Sequence, residues 1–275
     1  MEGYLFHVGA DTTRLKETVG ISSPLLRGRR FEFIPIVEWY PGECRKNTSE
    51  SRSYEELRCH EDPSKPLLRF LPESFDASAV PHLDPDVENF TYGEPTHYCD
   101  RNGRKMRNPK AEVLRKLVIK RDFLFFAASL APFPSKGNRH SLAEIAEFQK
   151  GRRAKYVIGY FRVRGLFEVT KCRNARAEVR SIGGSNIAQC EAELRENAHY
   201  KRSSGRFICA VGEKRRGGML LRGPIQITKT QEGFKLNQNG LHLLNREYGH
   251  HRYTRGVRHL DSEAVGFLLD RLRVA

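Results

Sequence analysis

The hydrophobic pattern changes period several times along this chain. Tyr4-Leu5-Phe6-His7-Val8-Gly9 is a short apolar run closed by the polar turn Ala10-Asp11-Thr12-Thr13, which predicts a first strand. Ser22-Ser23-Pro24 opens an irregular stretch. Phe31-Glu32-Phe33-Ile34-Pro35-Ile36 alternates and predicts a strand ending at Pro35. Residues 41–80 are polar and turn-rich, so loops are expected there, with a short helix near Ser53–Arg58. Val113, Leu114 and Leu117 share a helical face and predict a helix over Lys110–Val118. The unbroken apolar run from Asp122 to Leu130 predicts a buried strand, stopped by Pro132 and Pro134. Ser141–Lys150 predicts a short outer helix. Lys155–Val163, rich in β-branched and aromatic residues, predicts another strand. Arg206–Val211 and Ile225–Thr228 complete the strands. A last helix is expected from about Ser262, with Asp261 or Ser262 as its cap.

Composition narrows the class. Hydrophobic residues make up 39% of the 275 residues, enough for a core. No apolar run approaches the roughly 20 residues of a membrane helix, and the first residues lack the pattern of a secretory signal, so a cytoplasmic protein is expected. Six cysteines are widely spaced without a CxxC pair, which argues against a zinc ribbon and for reduced thiols. The formal charge of +15 is uneven: residues 1–100 carry −7, residues 101–180 carry +15 and residues 181–275 carry +7. A basic excess of this kind suits a polyanion, with nucleic acid as the first candidate. Arg101, Arg104, Lys105 and Arg107, and then Arg152, Arg153 and Lys155, are the clusters able to neutralise phosphates. A solvated basic face without a specific partner is the competing reading.

Two segments carry candidate chemistry. Gly9-Ala10-Asp11-Thr12-Thr13 follows a strand and could bring backbone N–H groups to a phosphate, although there is no GxGxxG or P-loop pattern. The run Pro81-His82-Leu83-Asp84-Pro85-Asp86-Val87 places an imidazole and two carboxylates within five residues. Pro85 biases Asp84 away from helix, and an extended backbone would turn His82, Asp84 and Asp86 towards one side. Such a group can do acid–base work or clamp a sugar-phosphate. A divalent metal is conceivable there, but the spacing assigns none and names no cofactor. The alternative is a loop whose carboxylates cap nearby N–H groups.

Three pieces of the chain together resemble the third family of nucleotide-modification-associated domains. They are Gly9-Ala10-Asp11-Thr12 with Ser22-Ser23-Pro24-Leu25 and Phe33-Ile34-Pro35-Ile36; the run His82-Leu83-Asp84-Pro85-Asp86-Val87; and the strands Asp122–Phe126 and Tyr156–Phe161. A fainter match is Asn197-Ala198-His199-Tyr200. Thr12 stands where the family usually has Ser. The resemblance is strongest over residues 3–230. It implies that the Asp11 turn and the His82 run meet in space, with Asp11, His82, Asp84 and Asp86 as a catalytic set and Thr12, Ser22 and Tyr92 as substrate contacts. The strand pair is also similar to pseudouridine-synthase-associated domains and related readers of modified bases, which are small β-barrels.

These readings combine into one expectation. The fold class is α+β: a mixed, curved sheet or partial β-barrel with peripheral helices and long loops. One elaborated domain spans 1–275, with 231–275 a C-terminal extension ending in a helix. The function expected is that of a nucleic-acid-directed protein of a DNA base-modification system, which recognises or acts on a modified base. Partners are DNA ahead of RNA and other proteins of such a system, with no membrane. A base- or nucleotide-modifying transferase or hydrolase and a structural subunit are the alternatives; whether there is a reaction at all is left open.

Overall fold

A computed structural model of the protein describes residues 1–8, 21–27, 30–39, 52–86, 89–99, 102–134, 140–172, 176–183, 186–201, 205–219, 223–230, 235–248 and 256–273. The strands are β1 (Gly3–His7), β2 (Ser23–Leu25), β3 (Ile36–Trp39), β4 (Val80–His82), β5 (Thr91–Pro95), β6 (His97–Cys99), β7 (Lys105–Arg107), β8 (Phe123–Pro132), β9 (Ala154–Lys171), β10 (Glu178–Ser181), β11 (Gly205–Met219), β12 (Ile225–Gln226) and β13 (Arg258–Leu260). The helices are α1 (Pro109–Leu114), α2 (Leu142–Gln149), α3 (Glu191–Glu196), α4 (Ala198–Lys201), α5 (Gln238–Tyr248) and α6 (Ser262–Arg273).

Most predicted elements form near their expected places. The segment Phe31–Ile36 does not: Phe31 makes only an isolated bridge to Leu25, and the strand begins at Ile36, after Pro35. Proline lacks the N–H that a strand ladder needs, so pairing starts beyond it. Around Ser53–Arg58 there are turns, and the nearby helical turn is a 3-10 segment at Leu67–Phe70. The strands at 155 and 206 run much further than their apolar cores suggested, to 18 and 15 residues.

The main sheet has nine strands in the order β13-β1-β8-β9-β11-β5, with β2 beside β8 and both β10 and β12 beside β9. It is mixed: β1 and β2 run parallel to β8, and the remaining pairs are antiparallel. The fold is therefore α+β. β9 is the spine, because β8, β10, β11 and β12 all bond to it. Register shifts in β11 at Val211/Gly212 and Gly212/Gly217 bend the ribbon it forms with β9.

The sheet is strongly curled. β5 lies four strand positions from β1, which in a flat sheet would be about 19 Å. Yet the Tyr92 ring on β5 is 4.9 Å from Phe6 on β1 and 5.2 Å from Phe126 on β8, edge to face in both cases. The inner surface holds Phe6, Leu124, Phe126, Ile158, Phe161 and Ile208, and α1 closes one end with Ala111 and Leu114. The outer surface alternates with it: Leu5, Phe125 and Val157 pack under α5 and α6, while Phe167, Cys209 and Val211 pack under α3. A further cluster joins the 54–79 loops to α2 through Tyr54, Phe75 and Ile145.

Glu168 on β9 ties this framework together electrostatically. Its buried carboxylate accepts from Arg115 at 2.6 Å, from Arg206 at 2.9 Å and from Arg180, so one acid joins α1, β10 and β11. Burial alone would raise its pKa, but the arginine hydrogen bonds and charges outweigh it and hold the carboxyl below its usual value. A depressed folded-state pKa contributes stability above the ordinary glutamate value of about 4.3, and that stability is lost as the pH falls through the lower value. Glu168→Gln is expected to cost about 1–2 kcal/mol at neutral pH, at the modest end because the guanidiniums stay partly hydrated. Urea unfolding across the acid range should show a shallower acid loss in the variant. Parallel curves would contradict this account.

Candidate functional site

The centre assembles on the outer side of β5. Strand alternation sends Tyr92 inward and turns Thr91 and Gly93 outward. The Gly93 N–H donates to both Asp84 oxygens, at 3.1 Å each. His82 arrives at the end of β4, which pairs with β3 so that Ile36 faces His82. The Asp84–Pro85 peptide that follows is cis. His199 comes from α4, whose first residues are held by Asn197: its Oδ1 accepts from the His199 N–H at 2.9 Å, and its Nδ2 donates to Thr91 Oγ1 at 3.0 Å.

Three side chains converge there. His199 Nε2 is 3.2 Å from Asp84 Oδ2, and His82 Nε2 is 4.0 Å from the same oxygen. The two imidazoles meet edge to face with centroids 4.8 Å apart. One potential ligand atom from each of His82, Asp84 and His199 falls within 4.8 Å of the others. On its far side, His82 Nδ1 lies 3.4 Å from Glu38 Oε2. Asp84 is buried, and this burial pushes its carboxyl up to about 8, against the pull of the His82 charge and the Gly93 N–H. A carboxyl poised there can exchange a proton near neutrality, which is the requirement for general acid–base work.

A second carboxylate sits on the inner side of β5. Glu94 accepts from Tyr92 Oη, from Asn108 Nδ2 at 3.0 Å, and pairs with Lys110 Nζ at 3.0 Å. Burial opposes its ionisation, but the Lys110 charge and the Tyr92 hydrogen bond outweigh it and lower its pKa. The two buried acids at β5, Glu94 on the strand and Asp84 bonded to its Gly93 N–H, are thus driven in opposite directions. Beside the centre lies a cleft of about 690 Å³, lined in part by Leu83, Pro85 and Ala198, the chain neighbours of the three converging residues. Arg52, Arg58 and Lys201 also line it.

The residues expected from sequence divide accordingly. His82 and Asp84 come together. Asp86 does not join them: its Oδ1 accepts from the Asn89 N–H at 3.0 Å and its Oδ2 from Asn89 Nδ2 at 2.8 Å, so it caps the turn into β5. Tyr92, expected as a substrate contact, is 2% exposed and packs in the inner core. Ser22 is buried, with its backbone N–H and carbonyl both bonded to the Gln149 amide. Asp11, Thr12 and Arg101 lie outside the described residues. Lys155 was expected to reach phosphates at the surface; it is 1% exposed instead, with Nζ 3.1 Å from His7 Nε2 and against Ser129 Oγ. Its β9 position faces the covered outer surface, so packing overrides its charge. Arg152 is exposed, with its guanidinium over Phe148, and Arg153 is half-buried. His199 was visible only as part of a faint four-residue match, because no spacing rule links it to a run more than a hundred residues earlier.

Fold and centre define a class: an open, curled mixed sheet with a buried carboxylate held between two histidines at its edge strand. The profile of nucleotide modification associated domain 3 matches residues 4–259, and the chain belongs to that family. Neither a curated protein nor a solved structure matches it. Among the described residues, no helix is long and apolar enough to cross a membrane.

Gly93 allows the close approach on which the centre rests. A Cβ there would stand 2.7 Å from His199 Cδ2 and 2.9 Å from Asn197 Oδ1. Gly93→Ala is expected to displace α4 and cost about 1–3 kcal/mol. Thermal unfolding and the ring resonances of His199 would register it; unchanged values in both would show that α4 is not held as described.

Proposed function

We propose that this protein acts on nucleic acid in a DNA base-modification system, with His82, Asp84 and His199 as the group that meets the base. The observation that carries this reading is the continuity of β5 with the hairpin of β6 and β7. The chain leaves the strand that holds Asp84 and passes directly into a ribbon whose Lys105, Met106 and Arg107 are exposed. Tyr98 and Met106, paired across that ribbon, are 46% and 44% exposed. A basic ribbon with an exposed aromatic ring suits phosphate contact and base stacking together. The cleft beside the centre is large enough for a nucleoside-sized group, and its lining mixes Arg52, Arg58 and Lys201 with the acids Glu56, Asp86 and Glu196, the last paired with Lys201. Arg152 and Arg153 remain further candidates for phosphate contact. Family membership supports the setting, while the choice between reading and modifying a base rests on experiment.

Two outcomes are expected. Binding of the full chain to DNA should weaken steeply with salt, through counterion release. Reversal of Arg104, Lys105 and Arg107 to Glu should weaken it alike for all sequences; binding indifferent to salt and to these reversals would remove the basis for the ribbon. The second outcome concerns Asp84→Asn, which keeps the size of the side chain but removes the carboxylate. Wild type and variant are incubated with modified and unmodified DNA, and the digested nucleosides are measured by mass spectrometry alongside melting and binding. Loss of turnover at unchanged melting temperature identifies chemistry at Asp84. A changed affinity for one modified base, with no turnover in either protein, identifies a reader. Loss of stability alone refutes a role in either.

A further inference from the structure

The geometry points to a mononuclear site for a first-row divalent cation, with His82 Nε2, Asp84 Oδ2 and His199 Nε2 as its protein ligands. This deepens the reading of the same centre, since it supplies a Lewis acid or redox ion to the group proposed to meet the base.

Three observations support it. The first is distance. Metal–ligand bonds of about 2.0–2.2 Å place neighbouring ligand atoms roughly 3.0–3.5 Å apart. His199 Nε2 and Asp84 Oδ2 already stand at 3.2 Å; His82 Nε2 is 4.0 Å from that oxygen and the trio spans up to 4.8 Å, so the His82 ring has to move inward to close the site. The second is the donor set. Two imidazoles and one carboxylate leave coordination positions open, as in catalytic zinc and non-haem iron centres, and would not suit a structural site closed by four protein ligands. The third is the support behind each ligand. Glu38 lies 3.4 Å from His82 Nδ1, which orients that ring with Nε2 inward. The Gly93 N–H steadies Asp84, and Asn197 fixes the first turn that presents His199. Glu38 and Gly93 thus do for His82 and Asp84 what carboxylate and backbone partners do for metal ligands generally. The side chains of His82, Asp84 and His199 are 13%, 3% and 7% exposed, so the ion would be shielded on the protein side. Leu83, Pro85 and Ala198, the chain neighbours of these ligands, line the adjacent cleft, whereas the three ligands themselves do not.

The competing account is an ion pair in which a protonated His199 neutralises Asp84 and no metal is taken. The two are separated by titrating the chelator-treated full chain with Co(II), with no nucleic acid present. The expected result is saturation at one equivalent with visible ligand-field bands, displacement by Zn(II), and a raised melting temperature on Zn(II) addition. His82→Ala and His199→Ala should each abolish the saturable phase. Glu38→Gln should weaken it about 10- to 100-fold. Circular dichroism checks each fold, and His82→Asn, at the most exposed of the three ligands, serves if an alanine variant does not fold. Absence of a saturable phase in the folded wild type would overturn the assignment, as would undiminished binding in folded His82 and His199 variants. Because the titration contains no DNA, a protein that takes metal but ignores DNA keeps this inference and loses the proposed function. One that binds DNA without metal does the reverse.

Discussion

The contact of Tyr92 with Phe6 and Phe126 is the one on which the rest of the architecture depends. It can form only if the sheet curls until its sixth strand in space meets its second. Burying three large rings in one place, at the edge-to-face angles that aromatic quadrupoles favour, stabilises that curl. Once Tyr92 points inward, the pleat leaves no choice for its neighbour. Gly93 must face outward, where its N–H meets Asp84 and its missing side chain admits His199. The centre is therefore a consequence of the core, displaced by one residue along the same strand.

The same logic governs Glu94 on β5 and Asp84 just beyond β4. Asp84 and Glu94 are both buried, yet one is raised and the other lowered. Burial favours the neutral form of each; what differs is the compensation. Glu94 has a lysine and two hydrogen-bond donors aimed at it, whereas Asp84 has one backbone N–H and two imidazoles whose charge is conditional on protonation. Glu94 is built to stay ionised and to hold α1 against the sheet through Asn108 and Lys110. Asp84 is built so that its charge depends on what comes to it.

Charge summed along the chain conceals where the basic residues are used. Part of the excess in residues 101–180 is paired with acids outside that segment, Arg162 with Glu213, Arg164 with Glu193 and Lys110 with Glu94, while Arg115 and Arg180 meet at Glu168 within it. Lys155 is buried outright. The surface share of that charge is correspondingly concentrated in places such as the β6–β7 ribbon, where all three residues of β7 are exposed.

Local pattern alone determined the strands at 123 and 154, helices α1, α2 and α6, and the prominence of His82 and Asp84. Apolar periodicity and proline chemistry act over a few residues, and so are legible without a structure. Long-range register is not. Nothing in the run 82–86 says that Asp86 would bond the Asn89 turn while Asp84 meets the two histidines, because that choice depends on where β5 bonds. Nothing around Lys155 says that a lysine in a basic cluster would be buried against His7 and Ser129, because it depends on which face of β9 is covered. His199 reaches Asp84 only because α4 docks on a glycine that lies more than a hundred residues earlier in the chain. Side-chain chemistry was written in the sequence; which groups share a site was decided by the curl of the sheet, since burial and contact are properties of elements packed together.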